Sequence, residues 1–342
     1  MKRLKQYLKI NRRKDKLQQR GRCVMAKQTT IRKLAAELKI APVTVYRALS
    51  GFKNVRQETR RAVLNAAHRE GYQLPTHEKR NIVVIVPLFS FLGYLEYLLP
   101  CLEKEFHSRG FRLLVVQKTD IELLCDQVFD GIVSLDWYEG LEKILPENFA
   151  IPIITINAPS NPQENIPRII SDPEGIRMAL DYLYNRGCRR IFYLSTVTDN
   201  SPDARDRLEE FRKFCLHTGQ DFEMFHLERC QLEVKEDISF LLKSNPDACF
   251  CASEGMASKL GLLLKAAGLR IPQDISLMGL EDRWGNECFS PPITSIRQNF
   301  EQIAAVAAEN ITRKITENIT MKECKLPFTL IERESVRLPK DK

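Results

Sequence analysis

Long apolar runs and catalytic signatures are both missing from this 342-residue chain. The longest apolar candidates, IVVIVPLF and GLLLKAAGL, fall well short of the roughly 20 residues that a membrane span needs. The opening MKRLKQYLKINRRKDK is basic and has no apolar core of the secretory kind. The ten cysteines are therefore expected as free thiols in a reducing cytoplasm. Histidine is scarce, and His68, His77, His107, His217 and His226 are scattered without metal-ligand spacing. HExxH, GxSxG, the Walker loop and GxGxxG are all absent. Cys249 and Cys251 alternate as core positions of a buried strand do, whereas a redox pair favours CxxC. These absences point away from catalysis, and no catalytic residue, metal or cofactor is expected.

What is present is charge, unevenly spread. Residues 1–80 hold 22 Lys+Arg against 5 Asp+Glu, a net +17, while the remainder carries a net −9. A basic leading quarter on an acidic body points to a separate module that faces a polyanion, and charge alone fits ribosomal or membrane-surface binding as well. The apolar fraction of 44% is globular, and the length fits two or three folding units. Residues 1–24 contain 10 Lys+Arg and one Asp with weak periodicity. They read as an unstructured tail with unspecific phosphate affinity, and a start at Met25 is the alternative.

Residues 29–72 read as three short helices. Thr30 can cap a helix whose Ile31, Leu34, Ala35 and Leu38 recur with helical spacing. Pro42 suits the first turn of a second helix with Val45, Ala48 and Leu49 inward. Val43, Thr44, Tyr46, Arg47 and Ser50 are left for its outer face. A third helix in ETRRAVLNAAHREG turns Ala62, Val63 and Ala66 inward and stops at Gly71. From Ile82 on, short apolar strands alternate with helical stretches: NIVVIVPL, RLLVVQK, GIVSLD, IPIITIN, RIIS, RIFYLST, ACFCAS and ISLMGL. That alternation predicts a mostly parallel sheet covered on both faces. Two such units, joined near Asn157–Ser171 and Pro291–Gln298, would leave a ligand cleft at their strand ends.

TIRKLAAELKIAPVTVYRALSG, residues 30–51, carries a helix–turn–helix pattern. Any small three-helix core shares its apolar spacing. Arg32, Lys33, Arg47, Lys53, Arg56, Arg60 and Arg61 around it favour DNA, because an α-helix fits the major groove.

The stretch continues as ETRRAVLNAAHREGYQLP. It is followed in order by VIVP, DGIV, RIISDPEGIRMALDYLYNRGCRRIFYL, NPDACFCASEGMA, LRIPQDISLMGLED and PPITSIRQNFEQIAAVAAENI. This ordered set, over nearly all of Thr29–Arg337, resembles the lactose-repressor (LacI/GalR) family of bacterial transcription regulators. The resemblance implies a small all-α helix–turn–helix headpiece on a periplasmic-binding-protein-like α/β body of two doubly wound subdomains. It also implies a homodimer that reads a near-palindromic double-stranded DNA operator and binds a small, carbohydrate-like effector. The expected boundaries are a basic extension at 1–24, the headpiece at 25–75, a linker at 76–81 and the body at 82–342. Within the body, one subdomain takes about 82–170 and 298–322, the other about 171–297 and 323–337.

Carried over singly, Pro42 and Val43 stand where the family reads bases. Thr44, Tyr46, Arg47 and Ser50 match base or phosphate contacts, and Thr30 and Asn54 match backbone contacts. For the effector, the expected residues are Phe91, Tyr94, Asp136, Trp137, Asn157, Arg207, Ser253 and Glu281, with Trp137 or Trp284 able to stack on a ring. Ordinary alternatives stand beside these: Arg207 in a surface salt bridge, Trp284 in the core, Glu281 as a helix cap.

Four departures from the family pattern matter. Ala41 replaces a capping Ser, a loss of about 1 kcal/mol that Pro42 partly offsets. Ser253 and Glu281 stand where Asn and Asp are usual, which implies a changed or lost ligand. The linker THEKRN has no Leu, Ile, Val, Met or Phe to wedge into a base step, so binding without a sharp central bend is expected. Lys79 and Arg80 there are either phosphate contacts or solvated linker. TDIELLCDQVF is shorter than the helical stretch the family places between its second and third strands. Together these features lead to the expectation of a cytoplasmic, effector-responsive repressor. A cytoplasmic solute-binding sensor and a sugar-processing enzyme on the same scaffold are the alternatives.

Overall fold

The computed structural model describes residues 29–50, 55–72, 80–87, 94–126, 129–135, 151–157, 166–196, 202–227, 238–253, 255–282 and 284–338. The chain divides into two units, one carrying Met1–Pro75 and the other carrying Thr76–Leu124, Phe129–Leu145 and Pro152–Lys342.

Among the described residues the first unit holds three helices: α1 (Ile31–Leu38), α2 (Pro42–Leu49) and α3 (Gln57–Arg69). Thr30 caps α1 by accepting the Lys33 N–H at 3.3 Å. Lys39 ends α1 in the left-handed region at φ 53°. Ala41 offers α2 no side-chain cap, and Pro42 supplies the preset first turn. Leu34, Ala35, Val45, Ala48, Val63, Ala66, Ala67 and Tyr72 form the core. Ala62, expected inside, is exposed, while Leu64, Ala67 and His68 are buried. The inward stripe of α3 thus runs through Val63 and its helical neighbours at 66 and 67, rotated away from Ala62.

The second unit contains two sheets. The first-lobe sheet comprises β1 (Arg80–Val86), β2 (Phe111–Gln117), β3 (Gly131–Leu135), β4 (Ile153–Ile156), β5 (Arg168–Ser171) and β11 (Cys324–Leu326). Its spatial order is β2-β1-β3-β4-β5-β11, and every pairing is parallel. The second-lobe sheet comprises β6 (Ile191–Thr196), β7 (Met224–Leu227), β8 (Ala248–Cys251), β9 (Ser276–Leu280), β10 (Thr294–Arg297) and β12 (Thr329–Ile331). Its order, β7-β6-β8-β9-β10-β12, repeats the first, except that β12 runs antiparallel to β10. Both follow doubly wound logic, in which ligands meet the carboxyl ends of strands.

Helices α4 (Tyr94–Ser108) and α10 (Phe300–Glu317) pack on the first sheet through a continuous apolar core. The second sheet is covered on both faces. Helices α5 (Glu174–Asn185) and α6 (Pro202–Thr218) lie on one, and α7 (Ser239–Ser244) and α8 (Met256–Ala266) on the other. A short helix, α9 (Trp284–Glu287), follows β9. After β2 the chain makes short 3₁₀ turns over Lys118–Asp126 with a kink at Asp120.

The chain crosses between lobes three times, after Ser171, after Arg297 and after Leu326. This shifts the expected boundaries. β1 starts at Arg80, two residues inside the expected linker, because Arg80 and Asn81 already pair with Phe111 and Arg112. Ser171 belongs to the first sheet. So do Cys324–Leu326, which pair with β5 and bury Leu326 in the first-lobe core. The extension 1–24 and linker residues 76–79 lie outside the described residues. At the third crossing Phe328 lies on α5 at Gly175, where an added Cβ would collide with the ring. Cys249 and Cys251 are core residues whose thiol pKa values are raised by burial.

Candidate functional site

Two surfaces carry the polar chemistry. On α2, Val45 and Ala48 face the core, which turns Val43, Tyr46 and Arg47 to solvent. Val43 is 52% exposed and Tyr46 47%. Pro42 and Ser50 are exposed and Thr44 is half-buried on the same short helix, while Thr30 is spent as the α1 cap. Asn54 lies outside the described residues.

In the body, residues at the crossings form a polar chain centred on Gln298, which follows β10 directly. Its Oε1 accepts from Ser171 Oγ at 2.7 Å and from Asn157 Nδ2 at 3.1 Å. Its Nε2 donates to Glu281 Oε1 at 2.6 Å. Asn157 Nδ2 also donates to the Tyr94 hydroxyl at 2.8 Å. The chain therefore runs from α4 through the ends of β4 and β5 to the residue after β9, and so from one lobe to the other. Asn157 and Glu281 both adopt left-handed backbone, at φ 55° and 63°. Asn tolerates that region, but Glu gains nothing there locally. The surroundings hold it: the Glu281 N–H donates to the Ile296 carbonyl at 2.8 Å and Asn286 Nδ2 to the Glu281 carbonyl at 3.0 Å. Strain kept in place at a strand end is a mark of functional sites.

Beside this chain lies a pocket of about 40 Å³, room for roughly three waters. Asn157, Ser171, Gln298, Asp206, Arg207 and Phe328 are among its lining. Arg207 is only 8% exposed, so its guanidinium is held within the fold, which argues against an ordinary surface salt bridge.

Residues 180–336 match the periplasmic binding protein-like domain. A sucrose operon repressor of Streptococcus mutans is 27% identical over 336 residues, spanning 92% of this chain and 100% of that one. The repressor CytR of Escherichia coli is 26% identical over 292 residues, 79% of this chain and 84% of its own. Among solved structures, a transcriptional regulator CelR–cellobiose complex superposes with a TM-score of 0.65 at 24% identity, covering 90% of this chain and 100% of that chain. The lac repressor dimer bound to operator and an anti-inducer also reaches 0.65, at 20% identity, over 91% and 100%. These two structures carry the fold, and the sequence relatives extend it along the chain.

By sequence and by fold the chain is similar to regulators of the lactose-repressor (LacI/GalR) type.

The residues expected at the effector site do not all converge. Asn157 and Arg207 line one pocket, Tyr94 joins it through Asn157, and Glu281 through Gln298. Ser253 is buried after β8 and is not among the residues that line this pocket. Phe91, Asp136 and Trp137 lie outside the described residues. Trp284 is 74% exposed and so no core residue; its backbone N–H donates to the Tyr97 hydroxyl of α4 at 3.3 Å. Sequence reasoning missed Gln298, Ser171 and Phe328. The available signal was their position, a polar or aromatic residue at the end of a strand where the chain changes lobe.

Proposed function

We propose that this chain is a cytoplasmic transcriptional repressor of the lactose-repressor type, acting as a homodimer. Its α2 helices read two half-sites of an operator, and its body answers to a small carbohydrate-like effector. The observation that carries this reading is the outer face of α2, with Val43 and Tyr46 exposed beside Arg47. Such a face suits a major groove, with apolar contact to thymine methyls and a guanidinium for guanine or phosphate. The expected DNA contacts are Thr30, Pro42, Val43, Thr44, Tyr46, Arg47, Ser50 and Asn54. Those for the effector are Phe91, Tyr94, Asp136, Trp137, Asn157, Arg207, Ser253 and Glu281, with Gln298 added. A sucrose operon repressor and a cellobiose-bound regulator among the similar proteins support a carbohydrate. An effector acts only by its differential affinity for two states, and the polar chain through Gln298 ties together the lobes whose relation it would change. Catalysis forms no part of this reading.

The test is selection of bound duplexes by the full chain, followed by titration at several salt concentrations. A preferred sequence with a steep salt dependence is expected, and Arg47→Ala should weaken it by about tenfold or more. Equal, weak binding to every duplex, with Arg47→Ala neutral, would overturn the proposal and favour a solute-binding sensor. Turnover of a sugar by the purified chain would favour the enzyme.

A further inference from the structure

A helix of eight residues is marginal alone in water, because nucleation costs more than so few hydrogen bonds return. The recognition helix α2 is that short, and at its start Ala41 provides no side-chain acceptor for the orphan N–H groups. Its stability must come from what packs against it. Val45 and Ala48 supply the apolar contact. At its far end, Arg60 of α3 reaches across and donates from Nη1 to the Ala48 carbonyl at 3.3 Å. That carbonyl lies in the last turn, where the helix dipole is negative and a cation is favourable.

The headpiece cations sort accordingly. Lys33 pairs with Glu70 and Arg69 with Glu37, both ties between α1 and the end of α3. Arg60 is half-buried and directed at α2, whereas Arg32, Lys39, Arg47, Arg56 and Arg61 are exposed. Charge alone gave Arg60 the same standing as Arg61, its chain neighbour.

We infer that Arg60 is a positioning residue for DNA reading: it clamps the C-terminal end of α2, one residue beyond Arg47, and is not a phosphate contact. The inference rests on the DNA-binding reading above. A phosphate contact strengthens all duplexes alike and adds to the salt dependence. A clamp on the reading helix acts on the preferred duplex and leaves the number of released ions unchanged.

The experiment uses the full chain, a duplex selected by it and a scrambled duplex of the same length. Arg60→Met keeps the stem and removes donor and charge. It should weaken the selected duplex about tenfold, leave the scrambled one within about twofold, and leave the salt slope unchanged. Adding Ala41→Ser supplies the missing cap at the other end and should recover most of the lost discrimination. Amide exchange in Arg60→Met should quicken in α2 and stay as it was in α1 and α3. An equal loss on both duplexes, with a slope reduced by about 0.9, would make Arg60 a phosphate contact and overturn the inference. So would unchanged binding, no recovery with Ala41→Ser, or faster exchange throughout the headpiece. Failure of the DNA reading itself shows earlier and separately, as an unmodified chain that prefers no duplex.

Discussion

Among the described residues the headpiece rests on a cluster of eight buried residues, five of them alanine or tyrosine, whereas the first lobe alone buries twenty-one in one continuous cluster. The smaller unit compensates with polar ties across its surface, Lys33–Glu70, Arg69–Glu37 and Arg60 to Ala48. The body has surface pairs too, such as Arg168–Glu323 and Arg190–Glu223, and adds polar ties inside, at Gln298, Glu281 and Asn286. The lesson is one of scale. A unit of this size has little apolar burial to spare, so its reading surface depends on a few rim contacts. The body has enough to hold strained and buried polar groups at a cleft.

The sharpest way to break the comparison is to open a cavity in each unit. Leu34→Ala in the headpiece should cost about 3 kcal/mol, comparable to the whole stability of so small a unit. The headpiece transition should vanish from a calorimetric scan and DNA binding with it, while effector binding by the body persists. Ile154→Ala, of similar local cost, should only lower the body's transition. If both transitions merely shift, the two units do not differ in the way described.

A smaller effect is expected at the buried polar chain. Gln298→Ala leaves Glu281, Ser171 and Asn157 without their shared partner, which should cost the body about 2 kcal/mol in a urea titration. The same variant should lower effector affinity in calorimetry, and leave the headpiece transition unmoved. Loss confined to stability would make Gln298 structural only.

The smallest effect separates the units by pH. Glu70 is held below its ordinary value of 4.5, first by its hydrogen bond from Lys33 and then by that cation's charge. A lowered carboxylate contributes stability that is present above the unfolded value and lost as pH falls through the folded one. Headpiece stability should therefore be level above about pH 5 and decline below it, and Lys33→Met should flatten that decline. In the body, Arg270 holds Asp274 at about 2, so its contribution persists to lower pH than that of Glu70. Circular dichroism followed along a pH titration reads both. An unchanged decline in Lys33→Met would remove the Lys33–Glu70 tie from the account.

Much of this was legible in the residues. The Thr30 cap, the Pro42 start and the inward positions at 34, 35, 45 and 48 follow from local spacing, and the structure has them so. Eight strands were readable as short apolar runs. β10 was not, because Thr294 and Ser295 look like a loop until Ser335 and Asn286 are found bonding them inside the fold. β11 and β12 are three residues each, too short to show alternation, and with them went the third crossing. Of the candidate site, Asn157 was named from its place at a strand end and Arg207 and Glu281 from family position, but Gln298, which bonds Asn157 and Glu281, was not named.

Chain order alone established a basic three-helix reader ahead of an α/β body, because helix caps, turn residues and apolar periods act over fewer than ten neighbours and leave their mark locally. Only the folded molecule decided that Gln298 joins Asn157 to Glu281 across the lobes and that Arg60 serves Ala48. Those partners stand 141, 17 and 12 positions apart, and their pairing follows from how the elements pack, to which side-chain spacing along the chain is blind.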